Sequence, residues 1–379
     1  MEDPRLDDTH RLLRESLHRF VEQEVVPHGL EWEAQGFVPR EVLRRMGSLG
    51  FLGLRYPQEH GGGDMNALAT ALLAEELGRS TFGGFAITVL VHTDMASPHL
   101  VNAGSSEQIG RYLPGIVSGE LITAVGVTEA DAGSDVKSIR TSARRDGGDY
   151  VLRGSKMFIT NGALADLYFV AAKTDAAAGS KGLSMFIVEK GTKGFSVGRK
   201  LDKMGWRSSD TAELVFDDCR VPAGNLLGDE HLGFYAILKN FQNERIALAA
   251  MTMGEAARAI ELTLEYVRTR TAFGTTLWDK QAIRQRLSML AAQVEAGRQL
   301  VLHAAWMDSI GRDCVKEVSM AKAYCAELLN DVVYDCLQFH GGFGFIKESA
   351  IERMYRDARV QSIGGGATEV MLEEVAKRL

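Results

Sequence analysis

Phe241, Glu244, Leu248 and Met251 fall at i, i+3, i+7 and i+10, so a helix through them sets one carboxylate inside an apolar stripe. A carboxyl kept from water there rises in pKa toward neutrality and becomes a usable general base. The same glutamate could instead help cap the first turn of its helix or pair with an arginine beside it. Arg245, next along, is a quarter-turn off the stripe and reads as a group that positions the site by hydrogen bonds.

Four further segments carry atoms suited to a planar or phosphorylated ligand. In VTEADAGSDV, Val127-Thr128 and Gly133-Ser134 combine hydroxyls with backbone N–H groups that glycine leaves accessible, a set able to meet ring heteroatoms or a phosphate. In GSKMFITNG, Phe158 and Thr160 are two apart, which on a strand puts an aromatic face and a hydroxyl on one side. Arg270 and Phe273, followed by Gln281, offer a cation and a ring fit for a pyrophosphate and an adenine. The stretch Gln338-Phe339-His340-Gly341-Gly342-Phe343-Gly344 is glycine-rich enough for its backbone to approach a ligand closely. Taken singly, the first reads more readily as a polar turn, the second only as a strand end, the third equally as a solvated helix terminus, and His340 as a packed histidine.

Other chemistries are excluded. No GxGxxG opens a helix after a strand and no GxxxxGK[ST] occurs, so neither a dinucleotide fold nor a P-loop is indicated. Cys219, Cys314, Cys325 and Cys336 have no metal-binding spacing, and no metal site is expected. The last three recur every eleven residues, close to one face of a helix, as packed thiols do. The net charge of −7, from 43 basic and 50 acidic residues, leaves no basic footprint for nucleic acid or an anionic membrane. Apolar runs break well short of ~18 residues, and the acidic start MEDPRLDD is unlike a targeting segment. A cytoplasmic protein without stable membrane association is expected.

The elements that must hold these residues fall into three textures. Leu12–Val26, Arg40–Leu49, Asp64–Leu77 and Ser106–Val117 read as helices, the last with Ser106 and Glu107 at its cap. Tyr150–Leu152, Leu167–Ala172, Leu183–Val188, Phe195–Val197 and Leu214–Phe216 read as short strands, with a hairpin turn at Asp146-Gly147-Gly148-Asp149. Strands without helices between them argue for an antiparallel barrel or sandwich. Beyond them, Ile283, Leu287, Leu290, Val294, Gly297 and Val301 step by 4 and 3, as do Ala321, Cys325, Leu328, Val332 and Cys336. With the helix near Phe241 these seams suggest a four-helix bundle.

Together and in this order, VTEADAGSDV, GSKMFITNG, KMGWRSSDTAELVFDDCRVP, YVRTRTAFG, QFHGGFGF and YRDARVQSIGGGATE resemble the acyl-CoA dehydrogenase family over nearly the whole chain. The resemblance implies an α+β fold: an N-terminal α-helical domain over 1–121, a middle antiparallel β-barrel domain over 122–229, and a C-terminal four-helix bundle over 230–379. It implies FAD as cofactor. Thr128, Ser134, Phe158 and Thr160 would meet the flavin ring, and Val127 and Gly133 would also bind the cofactor. Arg270, Phe273, Gln281, Gln338 and Gly342 would hold the distal half across a subunit interface, and Thr368 and Glu369 would also touch the cofactor. It further implies an acyl-CoA substrate oxidised to the trans-2-enoyl-CoA, contacted by Ser134, Arg245 and Gly365, an electron-transferring flavoprotein as acceptor, and a homo-oligomer, a tetramer built as a dimer of dimers.

One departure from the family decides the mechanism. Most members carry a catalytic glutamate where this chain has Gly365, and a threonine that commonly touches the flavin is here Ala367. Glu244 lies where isovaleryl-CoA and long-chain acyl-CoA dehydrogenases carry their base, so it is the expected catalyst. The backbone N–H of Gly365 and a ribityl hydroxyl of FAD would hydrogen-bond the thioester oxygen. The run Gly364-Gly365-Gly366 suggests room for a branched or bulky acyl chain. The rivals are oxygen as acceptor and a non-catalytic flavin-binding protein.

Overall fold

The computed structural model describes residues 3–379. Its first part is helical: α1 (Asp8–Phe20), α2 (Gly29–Gln35), α3 (Arg40–Ser48), α4 (Ala67–Arg79), α5 (Gly83–Leu90), α6 (Pro98–Ala103) and α7 (Ser106–Val117). The expected helix over Leu12–Val26 is α1 running into a wider π turn at Val21–Val25. The cap of α7 is one residue earlier than expected. Ser105 Oγ accepts from the Gln108 amide at 3.2 Å and Gln108 Oε1 accepts from the Ser105 amide at 2.9 Å. This reciprocal pair satisfies two amides that the helix start leaves without partners. Helix α4 is buried nearly all round, which makes it a central rather than a surface helix.

The middle part contains β1 (Thr123–Gly126), β2 (Ser142–Asp146), β3 (Asp149–Thr160), β4 (Leu167–Lys173), β5 (Leu183–Glu189), β6 (Phe195–Lys200), β7 (Thr211–Pro222) and β8 (Leu226–Leu227). The five expected strands fall within β3 to β7, and the expected turn joins β2 to β3 with Asp146 opposite Asp149. The sheet differs from the expected antiparallel barrel in two ways. Its order is β6-β7-β3-β2-β4-β5-β8 with β1 on β4, and among the described residues no ladder joins β6 to β8. Moreover β1 runs parallel to β4, as does β2 at a single register position. The β2–β3 hairpin between β1 and β4 provides the long crossover that a parallel pair needs. The two open edges are a largely exposed strand ending in Arg199-Lys200 and a strand of two residues, both poor templates for further pairing.

The last part comprises α8 (Gly233–Thr269), a small hairpin of β9 (Thr271–Ala272) and β10 (Thr275–Thr276), then α9 (Gln281–Ser309), α10 (Val315–His340), α11 (Ala350–Ala358) and α12 (Thr368–Ala376). Both expected seams are buried, apart from half-buried Ile283 at the start of α9. All four cysteines are buried free thiols, and burial raises the pKa of each. Helices α8, α9 and α10 pack together, α12 lies on α10, and α4 lies along α8 and α9. No helix among the described residues is long and apolar enough to cross a membrane.

The α4–α8 crossing fixes α8, and two glycines set its closeness. A Cβ on Gly254 would stand 1.9 Å from the Glu75 carbonyl oxygen, and one on Gly78 2.2 Å from the Met251 carbonyl oxygen. Neither backbone can yield without parting the helices. Gly254→Ala is therefore expected to cost about 1–3 kcal/mol and to lower the melting temperature. An unchanged melt would show that the two helices separate freely.

Candidate active site

Helix α8 carries the predicted carboxylate. Glu244 is half-buried, and its Oε1 accepts a hydrogen bond of 2.9 Å from Asn240 Nδ2, one turn earlier. Burial pushes the carboxyl up to about 7, and neither the Asn240 hydrogen bond nor the Arg245 charge cancels the rise. The alternative readings do not hold, since Glu244 lies a dozen residues into α8 and forms no ion pair within 4 Å among the described residues. Arg245 corrects an expectation. Its guanidinium makes no hydrogen bond among the described residues and lies over the Phe241 ring at 5.1 Å. Burial pushes its pKa down, against the pull of Glu244.

The glycine loop reaches the same stripe. Gly365 has φ +63, and a Cβ there would fall 2.1 Å from Leu248 Cδ1. Leu248 is one turn along α8 from Glu244, so tertiary packing sets the side-chain-free loop position against the helix that bears the carboxylate. The room expected beside Gly365 is thus occupied: Leu248 fills the volume that a side chain at 365 would take.

A second group forms around β1 and β3. The Met157 amide donates to the Thr128 carbonyl at 2.9 Å, which ties the loop after β1 to β3. The β3–β7 register shifts between Lys156 and Ile159, and the bulge holds Phe158 at φ +62. Phe158 is 64% exposed while Ile159 between it and Thr160 is buried. Among the described residues the Phe158 ring has no aromatic partner, and a Cβ on Gly133 would meet nothing within 4 Å. An outward aromatic face beside hydroxyls and open loop backbone fits a flavin ring. Residue-by-residue reading missed the tie beneath this cradle. Lys156, fully buried, pairs with Glu129 at 2.7 Å and donates to the Val127 carbonyl at 3.1 Å. Burial lowers the Lys156 ammonium to about 8 despite that carboxylate.

The remaining residues gather elsewhere. Tyr266 stacks on His340 at 4.5 Å and on Phe343 at 5.9 Å, which joins the end of α8 to the end of α10. Arg270, Phe273, Gln281, Gln338 and Gly342 therefore share one end of the bundle, and all are exposed, Phe273 at 98%. From Glu244 to Arg270 is 26 residues, about 39 Å of helix. Within one chain these residues therefore stand far along α8 from the Glu244 carboxyl. Thr368 donates through its hydroxyl to Glu327 at 2.6 Å, Glu369 is exposed at the α12 start, and Ala367 caps that helix without a side-chain hydrogen bond.

Behind Glu244 lies a brace that sequence reading also missed. Asn240 donates to the Met95 carbonyl at 2.9 Å and Asn243 to the Asp94 carbonyl at 2.8 Å. Arg55 joins Asn243 to Asp308, both at 2.7 Å. Asn240, Asn243, Arg55, Asp94 and Asp308 line a polar cavity of about 320 Å³. A larger cavity of about 510 Å³ beside Arg5, His303 and Trp306 holds none of the predicted residues. The available signal was asparagine at i−4 from an apolar-stripe glutamate, one turn away and within reach of its carboxyl.

A helical–β–helical chain with a raised-pKa carboxyl one turn from the leucine that packs on a side-chain-free loop, and an aromatic shelf for a planar cofactor, has the parts of a flavin-dependent carbon-acid dehydrogenase. Its sequence matches the acyl-CoA dehydrogenase N-terminal domain over residues 7–120, the middle domain over 124–219 and the C-terminal domain over 231–379. It is 41% identical to the mouse (Mus musculus) mitochondrial long-chain specific acyl-CoA dehydrogenase over 98% of this chain and 86% of that one. Among solved structures, an acyl-CoA dehydrogenase from Geobacillus kaustophilus aligns with TM-score 0.95 at 38% identity, covering 100% of this chain and 99% of that one. Butyryl-CoA dehydrogenase from Megasphaera elsdenii aligns with TM-score 0.96 at 34% identity, covering 100% and 99%. The chain belongs to the acyl-CoA dehydrogenase family. It is an FAD-dependent enzyme that dehydrogenates an acyl-CoA thioester between its α and β carbons.

The raised pKa of Glu244 has a stability consequence of fixed sign. Between the ordinary value of 4.5 and the folded value of about 7, the folded state keeps a proton that the unfolded chain releases. Stability from this residue is therefore full below about 4.5 and lost as pH rises through about 7. Glu244→Gln, which never ionises, is expected to melt above the wild type at pH 8 and level with it near pH 4.5. A melting difference independent of pH would refute the shift.

Proposed function

We propose that Glu244 is the base that takes the α-proton, and that the backbone N–H of Gly365 is a donor to the thioester oxygen. The observation that carries this reading is the packing of Gly365 against Leu248, one turn from a carboxyl whose pKa is about 7. A base must be ionised near working pH yet dry enough to bind a proton well, and a backbone donor survives the loss of the side chain at 365. Bound FAD supplies the acceptor for the hydride leaving the β-carbon. The chain's own residues do the rest. Phe158, Thr128 and Thr160 orient the ring, Glu244 holds the proton on a carboxylate oxygen, and Asn240 fixes that carboxylate. Arg245, with its guanidinium unspent, and exposed Ser134 are left to contact the substrate.

Glu244→Gln keeps the shape and the Asn240 contact but cannot accept a proton. FAD and acyl-CoA should still bind, and anaerobic flavin reduction should slow by ~10²–10⁴-fold or more. Reduction at close to the wild-type rate would remove Glu244 from the role. Moving the base to the loop requires more than Gly365→Glu, because that side chain meets Leu248 and the backbone is left-handed there. Recovery of reduction in Glu244→Gln/Gly365→Glu is expected only when Leu248→Ala is added.

We further propose a homo-oligomer, a tetramer in form, in which Arg270, Phe273, Gln281, Gln338 and Gly342 hold the distal half of a neighbouring subunit's FAD, and an electron-transferring flavoprotein as acceptor. Support comes from the ~39 Å along α8 and from the exposure of Phe273 and Phe345 beside these residues. Arg270→Ala is expected to weaken FAD retention by about 1.5–3 kcal/mol through loss of a charge-assisted contact. Dissociation followed by sedimentation should release flavin together with monomer. A monomer that keeps its FAD would overturn the shared site.

A further inference from the structure

Lys322 is a buried ammonium that the reaction so far does not use. It lies on α10, only 1% exposed, and among the described residues no carboxylate stands within 4 Å of it. Its Nζ instead donates to the carbonyls of Gln361 and Gly366, at 2.5 and 2.7 Å. Burial pushes the ammonium down to about 8, and the Arg245 charge adds to the fall. A desolvated cation is expensive unless its hydrogen bonds are made, so this contact is specific.

The two acceptors bracket Gly365. Upstream, the loop is pinned by the Ile363 and Gly364 amides to the Val360 carbonyl at 2.9 and 2.8 Å. From Gly364 to Gly366 it consists of glycine alone, the residue that loses most conformational freedom on being fixed. An N–H that is to stabilise charge on a thioester oxygen must be held in place before that charge forms. We propose that Lys322 is the positioning residue that holds the Gly365 N–H toward the thioester oxygen, by tying Gln361 and Gly366 from below. This rests on the reading of that N–H as the oxygen's donor.

The test compares Lys322→Met, of similar length with no donor, and Lys322→Gln, with a shorter amide donor, as FAD-loaded enzymes. Three quantities are read per bound flavin: amide exchange over residues 361–367, anaerobic flavin reduction at saturating acyl-CoA with its Kd, and the long-wavelength absorbance given by a 3-thiaacyl-CoA. That analogue can lose its α-proton but has no β-hydrogen to give, so its band reports α-proton acidity alone. Expected for Lys322→Met are faster exchange, reduction slowed roughly 10- to 100-fold, a Kd within about threefold, and a weaker band, with Lys322→Gln in between. Faster exchange with unchanged reduction and band would overturn the proposal by showing that the Gly365 N–H is not the donor. Unchanged exchange would overturn it by showing that Lys322 does not hold the loop, with the donor reading intact. A lower melting temperature alone, with rate and band preserved in both variants, would reduce Lys322 to a packing residue. If Lys322→Met does not fold with FAD, the same readouts on Lys322→Gln decide.

Discussion

Holding the Glu244 carboxyl away from water, with one amide donor and no counterion in contact, brings its pKa to about 7. That condition makes demands on everything around it. The carboxyl must sit on an element that does not yield, and α8 meets this by length and by a crossing with α4 so close that backbone faces backbone at Gly78 and Gly254. It must not be neutralised by the arginine next in sequence, and the Phe241 ring holds that arginine instead. It must also keep one orientation, which Asn240 provides while itself tied to the Met95 carbonyl.

The loop opposite is complementary to the helix in volume. Leu248 occupies the space next to Gly365, so helix and loop divide one small region between them, with carboxylate and bulk on the helix and backbone alone on the loop. Three successive glycines have little intrinsic reason to hold one conformation. Two carbonyl contacts to a single buried ammonium on α10 confine the loop on either side of Gly365. The cradle near Phe158 repeats the device, with Lys156 fully buried beneath a loop it joins through Glu129 and the Val127 carbonyl. In both places a lysine serves a glycine-containing loop through its hydrogen bonds.

The far end of the bundle is built differently. Its five candidate residues are exposed, Tyr266 stacks on buried His340 and on Phe343, and Lys280 lies over Phe273 at 5.8 Å. The two groups of candidate site residues thus stand at separate places along one helix, α8.

The sequence by itself determined the features that depend on local period and residue type. The 3.6-residue period placed α3 and α7 to within a residue, α4 to within three, and the seams of α9 and α10, alternation placed β3 to β7, and the stripe Phe241, Glu244, Leu248 and Met251 marked the carboxylate. Motif resemblance then identified the family and pointed to Gly365 as the empty position. What local pattern could not reach is what joins residues far apart in the chain. The sheet stays open because no ladder joins its edge strands β6 and β8 among the described residues, and β1 and β2 pair with β4 in parallel across a crossover. The α7 cap moved to Ser105 because a reciprocal bond with Gln108 decides it. Leu248 fills the room at Gly365 across more than a hundred residues, and Lys322 reaches Gly366 across 44. Periodicity tells which face of an element is apolar. Only the packed chain decides which atoms meet that face, because each such contact is set by the close packing of elements whose separation in sequence leaves no local trace.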